Sequence, residues 1–264
     1  MWKVCFVMDE VVERLAGIPG VVAVVLGGSR ARGEHRPDSD TDLGIYYRGR
    51  LDIDQLRELA AEVASKHEVF GVGDWGPWVD GGAWLTIDGH AVDWIYRDLD
   101  RVNRVWDECR AGRFTVERQV GHPLGYYSHT YAGEVALCRA LVDPTGELTQ
   151  LQEDTRQYPG ALGDALVEAL WEAEFSIVGA RKAPRDTVYV AGCLFRAVGV
   201  MAQALHGRAH RWTVNEKGIV ASAARLPQAP GGFEALAERA VTDIEAAGRL
   251  LETVRAGLGG GTPA

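Results

Sequence analysis

Two segments, Val24-Val-Leu-Gly-Gly-Ser29 and Asp40-Thr-Asp-Leu-Gly-Ile45, decide how this sequence folds. In the first, an apolar run ends at two glycines and a serine, and in the second Asp40 and Asp42 begin another apolar run. Side chains at positions i and i+2 of a strand point to the same face, so we expect the two carboxylates to lie together. Neighbouring carboxylates raise each other's pKa unless a cation lies between them. The spacing therefore predicts a divalent metal site at Asp40 and Asp42.

The order of these features, a Gly-Ser turn, a spacer and Asp-x-Asp on the next strand, resembles the nucleotidyltransferase superfamily of proteins similar to DNA polymerase β. The resemblance implies a nucleotidyltransferase (EC 2.7.7 type) that binds two Mg²⁺ ions and ATP or another nucleoside triphosphate. Such proteins carry a third acidic residue on a later strand, and Asp93 fits this place because it interrupts an apolar alternation at residues 90–96. Asp93 would act as a third metal ligand or as the general base, and the sequence leaves both roles open.

The nucleotide would contact residues beside the first segment and one residue far along the chain. Gly28 lets the backbone approach phosphates, and Ser29 offers a hydroxyl and a backbone N–H. Arg30 and Arg32 are candidate charge clamps for the phosphates, although a loop arginine of this kind is commonly just solvated. In small-molecule members of the superfamily, a polar stretch containing a lysine contacts the triphosphate. The stretch Asn-Glu-Lys at 215–217 resembles it, which makes Lys217 a nucleotide-binding candidate.

The hydrophobic pattern predicts an α+β chain with three parts. A nucleotidyltransferase catalytic domain, with a mixed β-sheet flanked by helices, is expected over residues 1–155, with strands at 21–26 and 41–47 and a hairpin at 83–96. An α-helical bundle domain that closes over the nucleotide is expected over 156–258, with helices at 162–178, 188–205 and 233–251. Residues 259–264 are expected to form a disordered tail. No apolar run reaches the roughly 18 residues of a membrane span, so none is expected.

Charge and cysteine content narrow the choice of partner and compartment. Residues 1–155 hold 16 Lys and Arg against 26 Asp and Glu, whereas residues 156–264 hold 12 against 11. A nucleic-acid acceptor normally requires a basic face, which is missing here, and an acidic surface favours a cationic acceptor. The four cysteines have no paired spacing, which is typical of reduced thiols in a cytoplasmic protein.

Three functions agree with these features. An N-terminal catalytic domain followed by a helical domain resembles the layout of the antibiotic nucleotidyltransferases. These enzymes transfer a nucleoside monophosphate, usually AMP from ATP, to a hydroxyl of an aminoglycoside or lincosamide, which would make resistance the biological role. Trp75, Trp78 and Trp84 would then offer a stacking wall for a sugar ring, unless they pack in the core. The alternatives are a transferase acting on protein or tRNA, as in toxin–antitoxin systems, and a non-catalytic nucleotide-binding regulator.

Overall fold

The computed structural model of the chain describes residues 2–259. The expected disordered tail therefore lies outside the described residues, except for Gly259. The predicted α+β class is confirmed: a mixed sheet flanked by helices comes first, and helices alone follow. The chain divides into two compact units, one of Met1–Asp107 with Val116–Gln157 and the other of Glu108–Thr115 with Tyr158–Ala264.

The first unit is built on a six-stranded sheet and a separate two-stranded ribbon. In the large sheet the strand order is β3-β4-β5-β2-β1-β8, and β6 pairs with β7. The strands are β1 (Val21–Leu26), β2 (Thr41–Tyr47), β3 (Lys66–Val69), β4 (Gly82–Ile87), β5 (His90–Asp98), β6 (Val116–Gln119), β7 (His122–Tyr127) and β8 (Arg139–Val142). The helices are α1 (Trp2–Ala16), α2 (Gly28–Arg32), α3 (Ile53–Val63), α4 (Leu99–Arg110), α5 (Thr130–Leu137) and α6 (Glu147–Thr155).

One face of the large sheet forms the hydrophobic core of this unit. Leu43 and Ile45 of β2 and Val92 and Trp94 of β5 are buried there, together with apolar residues of α1 and α3. Because strand side chains alternate between faces, the residues between them point to the opposite face. That opposite face carries Asp42 and Asp93, so the alternation of each strand separates the core from the candidate site.

The strands predicted from the sequence are confirmed, but several elements were not predicted, among them α2, β3, α4 and the β6–β7 ribbon. The hairpin of β4 and β5 turns at Asp88 and Gly89, which both have positive φ as a two-residue hairpin turn requires. Residues 28–32, expected as part of a loop, form the short helix α2. Strand β3 was not predicted because its residues are polar and mostly exposed, as is common for an edge strand.

The second unit is helical, and two of its predicted helices are in fact pairs. The helices are α7 (Gly160–Glu168), α8 (Leu170–Lys182), α9 (Thr187–Arg208), α10 (Ile219–Ala223), α11 (Phe233–Ala240) and α12 (Ile244–Gly257). The single helix expected over 162–178 is divided at Ala169, and that over 233–251 is divided where Asp243 caps α12. Helix α9 is long and apolar enough to cross a membrane, with a mean hydropathy of 1.6 in its most apolar window. However, 56% of that window is buried, and the core helix of a soluble protein meets the same criterion, so this is weak evidence for a span.

Candidate active site

Asp42 and Asp93 lie side by side on neighbouring strands. Strands β2 and β5 run parallel, and the register of their pairing sets Asp42 directly opposite Asp93. Asp40 precedes β2 by one residue and is exposed, whereas Asp42 and Asp93 are both half-buried. Paired residues of neighbouring strands project from the same face, so the structure brings the two strand carboxylates together.

The three carboxylates interact electrostatically. Burial, and then the charge of Asp40, raise the pKa of Asp42, while Arg32 and Arg30 oppose the increase. Burial, followed by the charges of Asp42 and Asp40, raises the pKa of Asp93 to about 6. Asp42 and Asp93 are therefore harder to ionise, partly because of neighbouring carboxylates, and a bound cation relieves such repulsion.

Gly28 is in direct contact with the carboxylate of Asp42. Its φ is +58°, and a Cβ added there would overlap Oδ2 of Asp42 and lie 2.6 Å from Cγ. One residue earlier, the backbone N–H of Gly27 donates to the carbonyl of Asp42 at 2.8 Å. Gly28 is therefore required by the approach of Asp42 as well as by its left-handed backbone, whereas a Cβ at Gly27 would come no closer than 3.7 Å to Asp42.

The two candidate arginines have different partners in the structure. Arg30 donates from Nε to the carbonyls of Ser39 and Asp40, at 3.2 and 3.0 Å, and so holds the backbone that leads into β2. Arg32 donates to the exposed Glu34 at 2.9 Å. Both guanidinium groups lie near enough to Asp42 to lower its pKa. Half-buried Ser29 precedes them, and its carbonyl accepts from the backbone N–H of Glu34 at 3.0 Å.

Lys217 belongs to the second unit and is exposed. Its backbone N–H donates to Oδ1 of Asn215 at 2.8 Å, in the turn before α10. Its contact with the nucleotide remains a prediction.

An ion pair that was not predicted from the sequence, with a buried arginine, lies on the same face of the sheet. Arg97, four residues after Asp93 on β5, donates from Nε and Nη2 to Glu134 of α5 at 2.6 and 2.7 Å. The guanidinium also lies 5.3 Å from the centre of the Tyr131 ring. Glu134 raises the pKa of Asp42, so this pair adds to the charges near the site. The alternation that identified Asp93 also identifies Arg97, since both project from the same face.

The side chains at the candidate site can be compared with the ligands that the predicted divalent metal ion would need. In residues 2–259, no group of three or more His, Cys, Asp or Glu side chains is arranged to hold a metal ion, so the structure shows no ready-made three-ligand cage. The donors that β2 and β5 bring together are nevertheless carboxylate oxygens, the ligands that hard divalent cations such as Mg²⁺ prefer. Asp42 and Asp93 therefore fit such an ion in chemical type.

Comparison with known protein families identifies the class of a region in the first unit. Residues 8–72 match the family model of the nucleotidyltransferase domain, a range that includes Gly28, Ser29, Asp40 and Asp42 and ends before Asp93. The region is therefore a nucleotidyltransferase domain. Nucleotidyltransferase domains use a nucleoside triphosphate and generally a divalent metal ion.

Several solved structures also match the chain, and one of them aligns with most of its length. It is a nucleotidyltransferase-like protein from Exiguobacterium sibiricum 255-15, which is 14% identical, with an alignment covering 95% of this chain and 74% of that one at a TM-score of 0.38. No curated protein matches the chain.

Proposed function

We propose that this chain is a Mg²⁺-dependent enzyme that transfers a nucleoside monophosphate, AMP from ATP, to a hydroxyl of a small cationic acceptor and releases pyrophosphate. The observation that carries the proposal is the register that sets Asp42 beside Asp93, with Asp40 two residues before Asp42 and Gly28 against its carboxylate. The family of the domain supplies the reaction class.

The carboxylates and the Gly-Ser turn have different roles in the proposed reaction. Asp40 and Asp42 would hold Mg²⁺ together with Asp93, and Gly28 and Ser29 would contact the phosphates. Bound Mg²⁺, as a pair of ions, would offset the phosphate charge and favour ionisation of the acceptor hydroxyl. If Asp93 is instead the base, its raised pKa suits acceptance of that proton near neutral pH.

We also propose nucleotide-binding roles for Arg32 of the first unit and, separately, for Lys217 of the helical unit. Both carry cationic groups that complement the charge of phosphates. Arg32 acts from beside Asp42, whereas Lys217 is proposed on its resemblance to the lysine-containing stretch alone.

The charge of the chain supports a small acceptor over a nucleic acid. The first 155 residues hold ten more acidic than basic side chains, which favours a cationic acceptor over a polyanion. The layout resembles that of enzymes acting on aminoglycosides and lincosamides. Antibiotic resistance in the cytoplasm is therefore the biological role that we propose.

The test follows the α-phosphate of labelled ATP, GTP, CTP and UTP in the presence of Mg²⁺ and a panel of aminoglycosides and lincosamides. We expect label on a panel compound, and we expect Asp42→Asn to abolish it. Asp54→Asn is the matched control, because Asp54 is an exposed carboxylate of α3 that pairs with Arg57 of the same helix. Wild-type turnover in Asp42→Asn would refute the site, and label on protein would favour a macromolecular acceptor.

A further inference from the structure

A tryptophan extends the row of catalytic carboxylates across the sheet. On the side of β5 away from β2, strand β4 pairs antiparallel and sets Trp84 directly opposite Asp93. Strand β3 then sets Glu68 opposite Trp84. Residues paired in this way share a face, and their Cβ atoms lie about 4.5–5.5 Å apart. The row therefore runs from Asp42 through Asp93 and Trp84 to Glu68.

Trp84 presents an open indole surface in this row. The side chain is 50% exposed, although its strand neighbours Ala83 and Leu85 are buried. An aromatic residue that is half-exposed and next to a candidate catalytic carboxylate is within reach of whatever substrate approaches that carboxylate.

The rest of the indole is held by two other aromatic rings. Trp75 stacks on Trp84 with ring centres 5.2 Å apart and an angle of 25° between planes. Phe70 meets Trp84 edge-on at 4.9 Å. Gly82, on the same face as Trp84, makes room for Trp75, because a Cβ there would lie 2.8 Å from the Trp75 ring. The indole of Trp84 is thus fixed in place before any substrate arrives, which lowers the entropic cost of binding.

The position of Trp84 distinguishes it from the nucleotide side of the site. Gly28 contacts Asp42 from the side of β1, while Trp84 lies beyond Asp93 on β4. Three strand spacings separate β1 from β4, which is about 14 Å. Phosphates bound at Gly28 and a ring on Trp84 would therefore approach the carboxylates from opposite sides.

We propose that Trp84 is the platform on which a ring of the acceptor stacks, and that this ring is an amino-substituted cyclic polyol. The indole face attracts the C–H face of such a ring and its ammonium groups. Glu68 accepts hydrogen bonds from an ammonium group at one edge of the ring. A hydroxyl at the other edge reaches Asp93, where the transfer takes place. The inference rests on the proposed transfer reaction and its cationic acceptor, and it adds the residue that selects this acceptor.

The test measures acceptor and nucleotide binding separately by calorimetric titration. Kanamycin A, whose rings carry both amino and hydroxyl groups, is titrated in the presence of Mg²⁺ and a non-hydrolysable ATP analogue. We expect Trp84→Ala to weaken kanamycin binding about tenfold and Trp84→Phe, which keeps an aromatic face, to weaken it about threefold or less. The dissociation constant of the ATP analogue should remain within about twofold in both variants.

A matched control and a folding check complete the design. Trp171→Ala removes a tryptophan that is 59% exposed on α8 of the helical unit and should change neither affinity. Thermal unfolding of Trp84→Phe checks that the aromatic cluster remains folded.

Two results overturn the inference. Kanamycin binding that is equal in wild type and Trp84→Ala removes Trp84 from the acceptor site. Binding of the ATP analogue without any binding of kanamycin by the wild type refutes the proposed acceptor class while leaving the proposed transferase intact. If the wild type does not bind the ATP analogue, the proposed function itself is wrong.

Discussion

Replacing Gly28 by alanine should destabilise the protein in two ways that can be measured separately. One is the left-handed backbone at Gly28, and the other is the overlap of the new Cβ with Asp42. Gly28 and Gly33 both have positive φ, +58° and +70°. A Cβ at Gly28 would overlap the carboxylate of Asp42, whereas nothing lies within 4 Å of a Cβ at Gly33. Gly33→Ala therefore tests the backbone cost alone, and Gly28→Ala tests the same cost together with the overlap.

The expected magnitudes follow from this geometry. A left-handed backbone costs alanine about 1–2 kcal/mol, so Gly33→Ala should reduce the free energy of unfolding by that amount. At Gly28 the new Cβ would lie 2.6 Å from Cγ of Asp42. Non-bonded carbons prefer about 3.5–4.0 Å, so the carboxylate must move by roughly 1 Å. Overpacking of this kind adds about 1–3 kcal/mol, giving a total loss of about 2–5 kcal/mol in Gly28→Ala.

The assay compares both variants with the wild type. Chemical unfolding followed by tryptophan fluorescence measures stability, and Mg²⁺-dependent transfer from labelled nucleotide measures activity. We expect Gly33→Ala to retain transfer and Gly28→Ala to lose it, because Asp42 is displaced. If the two variants have equal stability and equal turnover, the inferred contact between Gly28 and Asp42 is wrong.

Three further predictions concern charge. The pKa of Asp93 is raised from 3.8 to about 6, so the folded state binds the Asp93 proton more tightly than the unfolded state, and the free energy of unfolding without metal should fall as pH rises through this range. Asp93→Asn should reduce this fall in stability, measured by unfolding in EDTA. The same pH dependence in Asp93→Asn and wild type would contradict the prediction. Glu134→Ala leaves the buried Arg97 guanidinium without its carboxylate and should lower the free energy of unfolding, measured in urea, by about 3–5 kcal/mol. Asp54→Ala, which removes an exposed ion pair, should lower it by less than about 1 kcal/mol. Equal losses of stability in the two variants would contradict this prediction. Lys217→Ala should weaken nucleotide binding in calorimetry without changing acceptor choice, and an unaltered nucleotide affinity would remove Lys217 from the site.

The sequence predicted the elements whose signal is local. Strands β1 and β2 were placed correctly because each is a short apolar run bounded by turn or polar residues. The β4–β5 hairpin was found through Asp88-Gly89, since this pair favours the positive φ values that the turn adopts. By contrast, the division of one predicted helix at Ala169 has no Gly or Pro to mark it.

The candidate site was predictable in composition but not in arrangement. Asp40, Asp42 and Asp93 are identifiable by residue type and order alone. The parallel register that sets Asp42 opposite Asp93 joins residues that are distant in sequence, and no local pattern encodes it. The partner of Arg97 was equally hidden, because Glu134 lies on a helix whose contact with the sheet depends on the tertiary fold.

The parallel pairing of β2 with β5 also bears on how this protein can evolve. A ladder of backbone hydrogen bonds between β2 and β5 fixes the distance between Asp42 and Asp93, and this ladder does not depend on the identity of the side chains. The chain between the two strands includes the loop of residues 70–81, whose exposed residues 72–74 can be exchanged while the ladder stays in place. Mutation can therefore alter which molecules are accepted without rebuilding the chemistry, so a lineage can acquire new substrates through changes in one loop and one neighbouring strand.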